Sequence, residues 1–87
     1  MEIIKTDDFI KSLQKLPKNI QRLFLIQEKR FSENWKDSRL HIKKVQALQY
    51  AMSFRITNKY RVFFYFQQEN KAIFFEIDHR KDIYKKL

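Results

Sequence analysis

The sequence predicts an α+β domain. Apolar residues recur at helical spacing up to Trp35 and at strand spacing from His41 onward, and 87 residues leave room for one core only. The expected order is one strand, an α-α hairpin and an antiparallel β-meander, with both helices on one face of the sheet and a short C-terminal helix or ordered tail. Residues 1–87 form one domain on this reading.

Glu2 to Lys5 is short and β-branched, as a strand requires, and Thr6-Asp7-Asp8 follows as an N-cap with acidic residues in the first helical turn. Phe9, Ile10, Leu13 and Leu16 then mark one helix face up to Pro17, which restricts Leu16 and suits the start of a second helix. That helix is expected over Lys18 to Asn34, with Ile20, Leu23, Phe24, Gln27 and Phe31 on one stripe that Trp35 extends. Ser32 to His41 is polar and reads as the connection to the sheet. From His41 onward the period becomes two, and Met52, Phe54 and Ile56 alternate with more polar neighbours. Thr57-Asn58-Lys59 turns the chain into Tyr60–Phe66, and Gln67–Asn70 turns it into Lys71–Asp78, giving three central antiparallel strands with the second face left open. His79–Leu87 is too polar for a core strand.

Composition narrows the chemistry. Without Cys there is neither a disulfide framework nor a thiolate zinc site, and a reducing cytoplasm suits the chain. No apolar run approaches the ~18 residues of a membrane span. Without Gly, the chain cannot build a P-loop or dinucleotide-type phosphate cradle, so no nucleotide cofactor is expected. His41 has no partner at metal-ligand spacing, and no metal site is expected. The net charge is +9, and residues 41–87 hold ten basic and four acidic side chains against nine and six in residues 1–40. Such a surface attracts polyanions, nucleic acid first among them, although a solubilising lysine-rich surface has the same composition.

If Val62, Phe64 and Phe66 face the helices, Arg61, Phe63 and Tyr65 face the other way, as does Arg55 on the preceding strand. Guanidinium forks grip phosphates and exposed rings stack on unpaired bases, a combination suited to single-stranded RNA. The two rings fit a second small core or a protein interface equally well. In a helical tail Arg80 and Tyr84 share a face while Ile83 turns inward as the anchor. His79, where the last strand ends, is a candidate acid or base, although a His at a strand end is more often a surface residue.

Leu16-Pro17-Lys18-Asn19-Ile20, Ser53-Phe54-Arg55-Ile56, Tyr60-Arg61-Val62 and Asp78-His79-Arg80-Lys81-Asp82-Ile83-Tyr84 resemble, in order and spacing, the RelE/ParE superfamily of toxins from bacterial and archaeal type II toxin–antitoxin modules. The tail looks closer to the RelE branch. The resemblance implies a ribosome-dependent endoribonuclease that cuts mRNA in the A site without a metal or cofactor, using the RNA's own 2′-hydroxyl as nucleophile. It implies a cognate antitoxin as partner, together with ribosome and mRNA. By the same resemblance Arg61 is the phosphate-binding arginine, Arg80 and Tyr84 match the C-terminal arginine and tyrosine, and Arg55 falls where a basic residue is frequent. His79 would handle a proton. Lys43, Lys44, Lys59, Lys81 and Lys85 are the expected RNA contacts. Ser53 departs from the pattern near a position where other members carry lysine, which leaves the general base open. The alternatives are a ParE-like gyrase inhibitor without nuclease activity and a non-catalytic RNA-binding module.

Overall fold

The computed structural model describes residues 1–87, with elements β1 (Glu2–Lys5), α1 (Asp7–Lys15), α2 (Lys18–Glu33), a 3₁₀ turn (Ser38–Leu40), β2 (Lys43–Lys44), β3 (Met52–Arg55), β4 (Tyr60–Gln68), β5 (Lys71–His79), α3 (Arg80–Ile83) and a closing 3₁₀ turn (Tyr84–Lys86). The sheet order is β1-β5-β4-β3-β2. The meander β3-β4-β5 is antiparallel as expected, and it gains β2 on one edge and β1, parallel to β5, on the other.

The helix ends follow from their local chemistry. Thr6 Oγ1 accepts the Phe9 amide at 3.1 Å, capping α1, and Pro17 stands at the N-cap of α2, where its missing N–H costs nothing. Phe9 of α1 and Ile20, Phe24 and Phe31 of α2 are buried against Phe54, Val62, Phe64, Phe74 and Ile77 of the sheet. Ile10 and Leu23, also read as inward-facing, lie at the margins of their stripes and are exposed. Phe31 sits at the centre, edge-on to Phe64 (4.9 Å) and Phe74 (5.1 Å). Burying each such ring stabilises the fold by about 2–3 kcal/mol, and each favourable ring pair adds about 1 kcal/mol.

Gln27 is the polar member of the α2 stripe. Its amide donates to the Arg39 carbonyl (3.1 Å) and the Arg55 carbonyl (2.7 Å), so α2 pins both the 3₁₀ turn and the end of β3. His41 closes that turn in the left-handed region at φ 52°; in a chain with no glycine another residue must take such a position.

The second face of the sheet is not open, contrary to the expectation from sequence. Phe63 of β4 is fully buried with Val45, Ala51 and Ile83, and Leu48 and Phe75 pack at the margin. The physical reason is the bulge at Phe63/Phe64, across which Phe75 joins Phe63 on that face. An apolar patch of this kind recruits Ile83 of α3 and the turn between β2 and β3. Phe63 therefore belongs to a second small core and offers no ring to a base. Tyr65 is half-buried against Tyr50 (5.6 Å) and Phe75 (5.7 Å).

Candidate nucleic-acid interface

Three segments meet beside this second core. From the β2 edge come Lys43 and Lys44, from the turn after it Gln46 and Ala47, from β4 Arg61, and from the C-terminal segment Arg80 and Tyr84; together they line a depression of about 600 Å³. Each side chain is placed by a packing decision nearby. Arg61 follows Tyr60 and precedes the core residue Val62, so the strand pleat turns it away from the helices. The buried Ile83 docks α3, and one backbone bond, from the Arg80 amide to the Lys59 carbonyl at 2.6 Å, fixes where α3 leaves the sheet. Tyr84 then stands four residues from Arg80, with its ring edge-on to Phe63 at 5.3 Å and its side of the depression exposed.

The electrostatics are one-sided. Four cations line the depression and no carboxylate does. None of Lys43, Lys44, Arg61 or Arg80 takes part in an ion pair, and Arg61 Nε is buried without a hydrogen-bond partner. Arg55 Nε, outside the depression, is likewise buried without a partner; an N–H of this kind can donate to an acceptor that a ligand brings. Chemically, the set can bind a phosphodiester with forked donors and present a phenol and two amines beside it.

Other residues singled out from the sequence lie elsewhere. Arg55 pairs with Arg61 in the β-ladder, but its Nη1 donates to Asn58 Oδ1 (3.1 Å) and it lines a separate depression of about 240 Å³ beside α2, with Arg30, Arg39 and His41. His79 is on the far side of the sheet: it pairs with Tyr60, whose ring packs on the main core 5.3 Å from the imidazole. Its Nδ1 accepts the Lys81 amide at 3.1 Å, making His79 the N-cap of α3. The strand alternation that turns Arg61 into the depression turns His79 out of it. Lys59, Lys81 and Lys85 do not line the depression; Lys85 lies 3.9 Å from Asp82. Ser53 is buried, cross-strand from Lys43 and Phe63.

Lys86, in the closing 3₁₀ turn, is a tether. Its Nζ bonds Asp78 (2.9 Å), Glu76 (3.1 Å) and Ser12 (3.3 Å), closing the C-terminal segment onto β5 and α1. Partial burial disfavours its charge, but the hydrogen bonds to Asp78 and Glu76 outweigh that and hold the ammonium above the ordinary lysine range. The available signal was Glu76 and Asp78 at alternate positions of an otherwise apolar strand, which need a cation nearby.

No protein-family model matches the chain, and no curated protein matches it in sequence. Solved structures do match. The antitoxin–toxin complex RelB–RelE of Methanococcus jannaschii has a chain 27% identical, with 97% of this chain and 98% of that one aligned at a TM-score of 0.72. The archaeal RelE–RelB complex of Pyrococcus horikoshii aligns at 18% identity and TM-score 0.74 over 91% and 93% of the two chains. The YoeB/ParE toxin of Agrobacterium tumefaciens aligns at 9% identity and TM-score 0.76 over 92% and 99%. The last two carry the fold alone, while the first extends the likeness to sequence over nearly the whole length. With its helical hairpin on a five-stranded sheet and its Tyr60-Arg61-Val62 and Asp78–Tyr84 segments meeting at one place, the chain has the fold of the RelE/ParE-superfamily toxins and is similar over nearly its whole length to a chain of the RelB–RelE complex of Methanococcus jannaschii.

Proposed function

We propose that the chain is the toxin of a type II toxin–antitoxin pair and that it cuts mRNA on the ribosome, in the cytoplasm, by metal-independent attack of the 2′-hydroxyl on the adjacent phosphate. The observation that carries this reading is the convergence of four unpaired cations and a phenol, with no carboxylate, on one depression. A carboxylate there would repel the substrate; cations without internal partners gain theirs from it.

In the reaction the O2′–P bond forms and the P–O5′ bond breaks, leaving a cyclic 2′,3′-phosphate and a 5′-hydroxyl. One proton leaves the 2′-oxygen and one reaches the 5′-oxygen. Arg61 and Arg80 hold the phosphoryl oxygens as charge grows on them, and preorganised donors of this kind are worth roughly 10²–10³ each in rate. Tyr84 stacks on or orients the neighbouring base, and its fixed ring aligns attacking and leaving oxygens. Lys43, Lys44 and Tyr84 are the ionisable groups at hand for the proton transfers. His79, on the opposite side of the sheet, takes no part, and Arg55 serves outside the reacting centre.

The partner follows from the same charge. An acidic or amphipathic antitoxin segment folding over a +9 surface gains ion pairs that the free toxin lacks, and the archaeal relatives named above were solved as complexes with RelB. The test adds purified protein to programmed ribosomes and maps mRNA ends by primer extension, with a gyrase supercoiling assay on the same sample. New ends lost in Arg80→Ala and Tyr84→Ala support the reading. Gyrase inhibition without cleavage, insensitive to both changes, replaces it with the ParE-like alternative.

A further inference from the structure

Arg61 has a carboxylate directly across the ladder from it. In the β4–β5 register Arg61 pairs with Asp78, so the two side chains leave the same face with Cβ atoms about 5 Å apart, well within the reach of an ion pair. No such pair forms. One Asp78 oxygen, Oδ1, accepts the His79 amide at 2.7 Å, and the other, Oδ2, is held by Lys86 Nζ at 2.9 Å. Lys86 is itself placed by Glu76 and Ser12. Arg61 is left without an acidic partner and with Nε buried and unsatisfied.

We propose that Lys86 is a positioning residue that keeps Arg61 available to phosphate by holding the Asp78 carboxylate away from it. The inference rests on the depression being the RNA site. With Lys86 gone, Asp78 has a free oxygen and one cation opposite, and an internal Arg61–Asp78 pair competes with the phosphate for the same fork. The acid on β5 is thus compatible with an anion site on β4 only because the C-terminal segment brings its own cation.

The test measures binding of a single-stranded 2′-O-methyl RNA oligonucleotide, which cannot be cleaved, to the full chain and its variants. Lys86→Met should weaken binding roughly tenfold, the value of one charge-assisted contact, and Lys86→Arg should retain it. The double change Lys86→Met with Asp78→Asn should restore binding, because the competing carboxylate is gone although the tether is still broken. Lys86→Met with Glu76→Gln has the same net charge and should stay weak. If neither double change restores binding, Lys86 is only a tether; if both do, net charge alone acts; either result overturns the proposal, as does undiminished binding by Lys86→Met. Failure of the unaltered protein to bind the oligonucleotide would remove the RNA-site reading itself, and this inference with it. Circular dichroism on each variant separates loss of fold from loss of binding, and Lys86→Gln, which removes the same charge but keeps a polar side chain, must follow the same pattern.

Discussion

Arg61 and Arg80 reach the same depression from different segments, and neither has an acidic partner within the fold. Replacing either by Ala should lower the rate of mRNA cleavage about 10²–10³-fold, the usual cost of removing one preorganised donor. The thermal midpoint should barely move, since neither residue makes an internal ion pair; cleavage assays run beside melting curves check both halves of the claim. At this scale much was legible. The strand period put Arg61 away from the helices, and the four-residue spacing put Tyr84 beside Arg80. His79 was not legible, because its side depends on where β5 stops pairing and α3 begins: one residue past Asp78 lies on the opposite face. Arg55 shares a face with Arg61, and only its bond to Asn58 in the following turn shows that it is held apart.

Short elements do more here than their length suggests. Helix α3 has four residues and would not persist alone, so the position of Arg80 and Tyr84 depends on Ile83 in the second core. Ile83→Ala should cost about 2–4 kcal/mol and lower cleavage with it, measured by denaturant unfolding and ribosome assay. Gln27→Leu keeps the bulk but leaves the Arg39 and Arg55 carbonyls unsatisfied, and should destabilise by about 1–3 kcal/mol in the same unfolding experiment. The Lys86 tether has a defined pH range. Because its pKa is raised in the folded chain, its contribution is complete below about 10.5 and is lost only as pH rises through the higher folded value. Amide exchange or limited proteolysis of residues 80–87 should accordingly show release on the alkaline side of 10.5 and none between pH 7 and 9. Helices α1 and α2 and the meander were plain in the sequence because each carries a long apolar period. Strand β2 was not: two lysines on an edge have no period, and only pairing to Ser53 and Met52 makes them a strand.

Over the whole molecule the charge is not spread evenly with respect to the sheet. The depression holding Lys43, Lys44, Arg61 and Arg80 is separate from the cluster of Arg30, Arg39, His41 and Arg55 beside α2, so two basic surfaces flank one small domain. Binding of single-stranded RNA should weaken steeply with salt, and each of the four cations removed should reduce the log–log slope by about 0.7 if it contacts a phosphate. The helical hairpin's contribution is indirect: its phenylalanines hold one face of the sheet so that the other can be given to a small core and a charged rim. The most direct measurement of the central claim is the backbone and side-chain NMR perturbation of the intact chain by an uncleavable single-stranded RNA. The largest shifts should fall on Lys43, Lys44, Arg61, Arg80 and Tyr84, with the Arg61 Nε–H moving most as it gains an acceptor. Shifts centred on Arg30, Arg39 and Arg55, or scattered over both surfaces, would contradict it.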